Sequence, residues 1–174
     1  MASTVDSIKQ LREETSCGVI ECKKALEESK GDFQKAKEIL RKRGLEMAAK
    51  KADRAAKEGR VEAYIHHGNK IGVIVEVNCE TDFVARNDDF MVFTRDLAMH
   101  IAALAPKYLK KEEIPADVLI KEIDKDAYTK ANCLLTQNFV KDPSKTIGDY
   151  LNELIAKIGE NIQIGRFVRF KVGE

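Results

Sequence analysis

The N-terminal part of the chain repeats its apolar residues at the spacing of helices. In three short stretches these residues recur every three or four positions and share one face. The pattern predicts helices over roughly Val5–Glu14, Val19–Ser29 and Asp32–Gly44. Gly44 is expected to end the third helix, because glycine commonly follows the last helical turn. Three helices of this size have only a marginal core of their own, so we expect residues 1–44 to form a small domain that gains stability by docking.

The composition changes over residues 45–59, where alanine, lysine, arginine and glutamate dominate and no strong apolar stripe is present. Such a stretch is typical of a solvated helix, so we interpret it as a helical linker between two domains. The alternative is a nucleic-acid-binding or ribosome-binding segment. Because Glu46, Asp53 and Glu58 interrupt its positive charge, no direct contact with nucleic acid is expected.

From Arg60 the apolar period shortens to two, which is the spacing of β-strands. Two alternating runs flank the turn sequence His67–Lys70 and predict a β-hairpin. The second run is apolar on both faces near Ile74, which indicates a strand inside a sheet. A returning strand is predicted over Ile162–Val172, after several helices. This order predicts an α+β core over residues 60–174, with helices packed on an antiparallel sheet.

Between the hairpin and the returning strand the apolar period is again that of helices. The longest predicted helix begins near Asp88, and its expected inward residues are Phe90, Phe93, Leu97, Ile101 and Leu104. Further helices are predicted over roughly Asp117–Asp126, Tyr128–Phe139 and Thr146–Ile158.

Charge and apolar content limit the class of protein. The 30 Lys and Arg residues balance 29 Asp and Glu residues, so no overall field attracts nucleic acid or a membrane surface. No apolar run approaches the ~20 residues that a membrane-spanning helix needs. The N-terminus lacks the apolar segment of a signal peptide, so we expect a cytoplasmic protein. The four cysteines form no C-x-x-C motif and are expected to be reduced thiols, with a disulfide as the minority alternative.

Sequence motifs of catalysis and of metal binding are absent. The chain has no phosphate-binding G-x-x-x-x-G-K-[ST] loop, no G-x-S-x-G elbow and no zinc-type spacing of cysteine and histidine. His66 and His67 fall in the predicted hairpin and are expected on the surface, whereas His100 is expected to have a structural role. Cys79 stands beside acidic residues and is a poor candidate for a nucleophile. We therefore expect a binding protein without a cofactor or a metal of its own.

The segment Asn78–Asn87 has an unusual composition for its position between a buried strand and a long helix. It places Phe83 and Val84 beside Asp82. An exposed aromatic side chain next to a carboxylate, on a loop held by a rigid scaffold, is a candidate binding element. The alternative is that Phe83 packs into its own core and Asp82 caps the following helix. The residues alone leave both interpretations open.

Three blocks of the sequence resemble the elongation factor Ts family, in the order of that family and over more than half of the chain. The run from Ile8 to Gly44 resembles its N-terminal ubiquitin-associated-type (UBA-like) helical domain. EVNCETDFVARN resembles its central signature, and FVKDPSKTIGDYLNELIAKIGENIQIGRFVRF resembles its C-terminal signature. A ubiquitin-binding adaptor is an alternative for the helical domain alone, but it does not account for the TDFV block.

The resemblance implies a guanine-nucleotide exchange factor that binds the GTPase elongation factor Tu and promotes release of GDP. In the family the TDFV segment, here Thr81, Asp82, Phe83 and Val84, inserts near the magnesium and nucleotide site of the GTPase. Phe83 would enter an apolar pocket of the GTPase, and Asp82 would perturb its magnesium ion.

The resemblance also implies a second contact, made by the N-terminal domain at Arg12, Val19 and Ile20. Many relatives have two methionines in place of Val19 and Ile20, and the β-branched pair is stiffer. Core packing is the alternative for these two residues, and at most one of them is expected to face outward. The connection over about Ile123–Asn132 is shorter than in relatives, and the core is a single sheet module. Because short relatives can form homodimers, a homodimer is a further implication.

Overall fold

The computed structural model describes residues 4–15 and 17–174, and the chain divides into two compact units. The first unit comprises the chain up to Arg54 together with Asn152–Asn161. The second unit comprises Ala55–Leu151 and Ile162–Glu174. Within the first unit, the side-chain amide of Asn161 donates hydrogen bonds to the carbonyls of Ala52, at 3.2 Å, and Arg54, at 2.6 Å. These bonds join the C-terminal segment to the N-terminal one, a long-range link that sequence periodicity does not reveal.

The first unit is helical, as predicted. Its helices α1, α2 and α3 span Thr4–Thr15, Val19–Glu28 and Phe33–Lys51. Asp32 caps the third helix, because its carboxylate accepts a hydrogen bond from the backbone nitrogen of Lys35 at 3.1 Å. The core is a cluster of buried side chains from all three helices: Leu11, Cys22, Ala25, Leu26, Ala36 and Leu40.

The predicted end of the third helix at Gly44 is wrong. Helix α3 continues through Gly44 to Lys51, and Gly44 is buried within it. A methyl group built at Gly44 would lie 3.7 Å from the Cβ atom of Ala156 and 3.9 Å from the carbonyl oxygen of Asn152. Both distances are ordinary van der Waals contacts, so this segment packs against α3 at Gly44 but leaves room for a methyl group. The expected linker over 45–59 is consequently helical only as far as Lys51.

The second unit is built on a three-stranded antiparallel sheet. Strands β1 to β5 span Glu58–Ile65, Ile71–Cys79, Asn138–Phe139, Asp142–Thr146 and Gln163–Lys171. The sheet has the order β1-β2-β5, so the predicted hairpin and the inner position of its second strand are confirmed. Together with the helices this arrangement confirms the α+β class. The short strands β3 and β4 pair separately as a hairpin.

Helices α4 to α8 span Asp82–Ala85, Asp88–Leu104, Ala116–Leu119, Lys125–Asn132 and Ile147–Ile158. Helix α5 contacts β1 and β2, and all but one of its expected inward residues are buried. The exception is Leu104, which is exposed because it lies in the last turn, immediately before a left-handed residue, Ala105 (φ 47°). In the part of the chain that the structure describes, no helix is both long and apolar enough to cross a bilayer.

Two predicted helices between α5 and α8 are wrong in extent. The one predicted over Asp117–Asp126 ends at Leu119, and Asp124 then caps α7 by accepting hydrogen bonds from the next turn. The one predicted over Tyr128–Phe139 ends at Asn132, because Cys133 has an extended backbone. The β3–β4 hairpin was not predicted, since strands of two and five residues are too short to display a period of two.

Candidate functional site

The chain leaves β2 at Cys79 and forms the single turn α4 before α5 begins. Thr81 caps this turn with an extended backbone (φ −129°, ψ 155°), and its hydroxyl accepts a hydrogen bond from the backbone nitrogen of Val84 at 3.4 Å. The thiol of Cys79 donates to the carbonyl oxygen of Thr81 at 3.1 Å. The segment predicted as a loop is therefore a helical turn fixed at its N-terminal end.

Phe83 lies on the outside of this turn. Its exposed fraction is 84%, whereas that of the adjacent Val84 is 9%. The alternative in which Phe83 packs into its own core is therefore wrong. Full burial of a phenylalanine side chain is worth about 1.5–3 kcal/mol relative to water. Nearly all of that free energy remains available to a partner that covers the ring.

Asp82 stands beside the ring and is also accessible. Its carboxylate lies 3.0 Å from the guanidinium of Arg86, and both side chains are more than half exposed. Asp82 does not cap α5, because that role belongs to Asn87, whose side chain accepts from the backbone nitrogen of Asp89 at 2.9 Å. An exposed ion pair of this kind contributes about 0–1 kcal/mol, so the carboxylate can exchange Arg86 for another partner at little cost.

The first unit carries the other predicted contact residues on its surface. Arg12 is exposed on α1, and Val19 and Ile20 form the first turn of α2. Both apolar residues are exposed, with an exposed fraction of 69% for Ile20. The expectation that at most one of them faces outward is wrong. Neither side chain belongs to the buried cluster of this unit, so both are available to a partner.

The outer face of the three-stranded sheet is a second apolar surface. Its side chains are adjacent, because the strand register places Ala63 opposite Ile74 and Ile74 opposite Val168. We call this surface the open sheet face; its exposed apolar residues are Val61, Ile65, Ile74, Val168 and Phe170. The sequence indicated alternation in these strands but not which face is covered. A contiguous apolar patch marks an interaction surface more often than scattered single residues do.

Cysteine, histidine and acidic side chains are the other candidates for a chemical role. Within residues 4–15 and 17–174, no group of three or more His, Cys, Asp or Glu side chains is placed to hold a metal ion. The four cysteines are reduced thiols, and burial raises the pKa of Cys22 and of Cys133, which makes them poor nucleophiles. His66 and His67 are exposed on the hairpin, as expected.

His100 belongs to α5 and is buried against the β3–β4 hairpin. Its Nε2 atom lies 3.0 Å from the side-chain oxygen of Gln137, and its Nδ1 atom accepts a hydrogen bond from the backbone nitrogen of Val140 at 3.3 Å. Burial lowers the pKa of His100, although the hydrogen bond to Gln137 opposes this shift. The ring therefore joins two parts of the second unit as a neutral imidazole, which is a structural role.

Comparison with known proteins decides the family. The sequence profile of the family described as Elongation factor TS matches residues 3–128 and 123–174. The chain belongs to the elongation factor Ts family. Elongation factor Ts of Geobacter sulfurreducens is 49% identical over 197 aligned positions, which cover all of this chain and 91% of that protein. Elongation factor Ts of Fervidobacterium nodosum is 48% identical, and the alignment covers the whole of both chains.

A third member of the family, elongation factor Ts of Thermoanaerobacter sp. strain X514, is 50% identical over 98% of this chain and 95% of that protein. Alignments of 194 or 197 positions exceed the 174 residues of this chain. The two parts of the profile match overlap at residues 123–128, inside the segment Ile123–Asn132 where a shorter connection was expected. Membership places the chain among translation elongation factors.

Proposed function

We propose that the chain is a guanine-nucleotide exchange factor that binds elongation factor Tu·GDP and promotes GDP release during translation elongation. The observation that carries this proposal is the exposed ring of Phe83, beside the carboxylate of Asp82, on a turn whose neighbouring residues are fixed. The partner follows from the family to which the chain belongs. The process breaks no covalent bond, so it requires a shaped binding surface rather than a nucleophile or a base.

An exchange factor must bind the nucleotide-free GTPase more tightly than the GDP-bound form. The effect is reciprocal, because the factor weakens GDP binding by the same ratio by which GDP weakens binding of the factor. Weakening GDP about 10⁴-fold requires ~5.5 kcal/mol of difference between the two states. Burial of Phe83 in a pocket that opens only in the nucleotide-free state supplies about 1.5–3 kcal/mol of this difference.

The rest of the free-energy difference between the two states is assigned to the magnesium ion of the GTPase. A carboxylate is one of the hard oxygen ligands that Mg²⁺ prefers. Asp82, carried to the edge of the metal site by the insertion of Phe83, would draw the ion or its ligands away from the diphosphate. The weak ion pair with Arg86 leaves Asp82 able to make this exchange, since both side chains are exposed in the unbound protein.

Arg12, Val19 and Ile20 are proposed to dock on a separate helix of the GTPase. Their exposed apolar surface provides affinity for the GDP-bound and nucleotide-free states alike. Contacts that do not distinguish two states cannot shift the balance between them, so this docking concentrates the factor on its partner without accelerating release. The turn that carries Phe83 and Asp82 provides the discrimination.

The test is release of fluorescently labelled GDP from elongation factor Tu, measured by stopped flow with increasing amounts of this protein. The release rate should rise with its concentration and saturate. A folded protein that leaves the rate unchanged at every concentration overturns the proposal. The alternative, a nucleic-acid-binding module, predicts instead an RNA affinity that falls steeply with salt.

We also propose that two copies of the chain associate through the open sheet face. The charged side chains Glu76 and Arg166 on this face neutralise each other, with 2.9 Å between the carboxylate and the guanidinium. A neutral apolar face suits a second copy of itself, because two-fold association brings the same patch together from both subunits. Two sheets packed face to face at ~10 Å would cover the exposed residues.

Sedimentation velocity over a range of protein concentrations tests this association. The wild-type chain should form a dimer, and Phe170→Asp should shift it to the monomer without unfolding it, because Phe170 is 67% exposed. Ile120→Asp is the matched control, since Ile120 is 73% exposed and lies outside the open sheet face. A wild-type chain that stays monomeric, both alone and in complex with the GTPase, refutes the dimer.

A further inference from the structure

We propose that the thiol of Cys79 is a positioning group for nucleotide exchange, because it fixes the carbonyl of Thr81 and with it the turn that presents Phe83. The inference rests on the exchange function proposed above and adds a residue outside the four that match the family's TDFV segment. Cys79 does not touch the partner in this account. It acts through the orientation of the turn.

The contact lies where the sheet passes into the turn. Cys79 is the last residue of β2 and is fully buried, so its Cβ atom is held by the core. Its thiol donates a hydrogen bond to the carbonyl oxygen of Thr81 at 3.1 Å. The same oxygen accepts a hydrogen bond from the backbone nitrogen of Ala85 at 3.3 Å. One carbonyl thus joins the rigid strand to the first hydrogen bond of α4.

A turn of four residues needs such anchors. A helix this short is not stable by itself, because nucleation fixes several residues for a single hydrogen bond. The structure holds α4 by the cap from Thr81, by the burial of Val84 and by the thiol of Cys79. Successive residues of a helix point about 100° apart. A modest rotation of α4 would therefore turn Phe83 away from the direction in which it is presented.

Replacement of the thiol should alter the rate of exchange and not the docking of the first unit. We expect Cys79→Ala to lower the maximal rate of GDP release by about threefold to tenfold, the range for loss of one modest hydrogen bond. The concentration of protein that gives half of the maximal rate should stay the same, because Arg12, Val19 and Ile20 are unchanged. Cys79→Ser keeps a donor at this position and should retain most of the wild-type rate.

The decisive readout is a double-mutant cycle on GDP release from elongation factor Tu. If the thiol acts through the ring, Cys79→Ala should slow the wild-type protein but produce no further slowing in a Phe83→Ala background. Cys133→Ala is the matched control. Cys133 is also fully buried in the second unit, but it lies far from the turn in the sequence. This variant should release GDP at the wild-type rate.

Circular dichroism and thermal unfolding establish that each variant is folded. If Cys79→Ala does not fold, Cys79→Val replaces it, because valine fills the strand position and lacks a donor. The positioning role is supported if Cys79→Ala slows GDP release, if Cys79→Ser keeps most of the wild-type rate, and if Cys79→Ala causes no further slowing in the Phe83→Ala background. The role is overturned if folded Cys79→Ala or Cys79→Val releases GDP at the wild-type rate. It is also overturned if the slowing by Cys79→Ala adds to that by Phe83→Ala. An unchanged rate for folded Phe83→Ala overturns the proposed function itself, so the two failures are distinguishable.

Discussion

Replacement of Phe83 by alanine separates the role of the turn in exchange from its role in the fold. The ring is 84% exposed in the unbound protein, so its removal takes away almost no buried surface. Substitutions at such surface positions usually change the free energy of unfolding by less than about 0.5 kcal/mol. We therefore expect Phe83→Ala to keep the wild-type circular dichroism spectrum and a melting temperature close to that of the wild type.

The effect on GDP release should be much larger. Full burial of the ring against the GTPase is worth about 1.5–3 kcal/mol, and each 1.4 kcal/mol corresponds to a factor of about ten. If the pocket is available only in the nucleotide-free state, the whole amount appears in the maximal rate. The expected slowing is then at least roughly 10- to 150-fold, because Asp82 reaches the metal site only through insertion of the ring. A ring that bound both states equally would change only the concentration needed for half of the maximal rate.

Stopped-flow release of labelled GDP, measured up to saturating concentrations of each variant, distinguishes these results. Ile120→Ala is the matched control, because Ile120 is also an exposed apolar residue of the second unit but lies far along the chain from the turn. It should behave as the wild type. A folded Phe83→Ala variant with an unchanged maximal rate would refute the reasoning, whether or not its affinity falls.

Two predictions concern stability. Burial lowers the pKa of His100 below its ordinary 6.5, so the unfolded chain takes up this proton more readily than the native one. The free energy of unfolding should therefore decrease as the pH falls below about 6.5. Urea titrations of His100→Gln should show a smaller decrease than those of the wild type. An equal pH dependence of the two proteins would exclude His100 as the cause. Gly44→Ala should raise the free energy of unfolding by about 0.5–1 kcal/mol, because α3 is helical at this position and the added methyl group would lie 3.7 Å from Ala156. A lower melting temperature for this variant would contradict the fit.

Periodicity was sufficient for those elements whose burial follows from neighbours in sequence. The β-hairpin, the inner position of β2, the start of α5 and the three N-terminal helices all have runs long enough to display a period. Capping and breaking residues were less reliable. Gly44 is a typical helix end by residue type, but α3 continues through it, and it lies buried against residues more than one hundred positions later in the chain.

The candidate site could be named from the sequence but not described. Composition left open whether Phe83 was exposed or buried, because a four-residue turn has no period and its orientation depends on anchors at both ends. The structure settles this point through the buried Val84, the cap from Thr81 and the separate cap of α5 by Asn87. The open sheet face was missed for a related reason, since alternation along β1 and β5 does not reveal which face the helices cover.

The most direct test of the central claim is the magnesium dependence of exchange. Release of labelled GDP from elongation factor Tu is measured with and without this protein, first at saturating Mg²⁺ and then in excess chelator. If the turn that carries Asp82 and Phe83 acts through the metal site, acceleration should be largest with the ion present and should fall, once the ion has been removed, to the roughly 10- to 150-fold that burial of Phe83 supplies. Equal acceleration under both conditions would contradict the account.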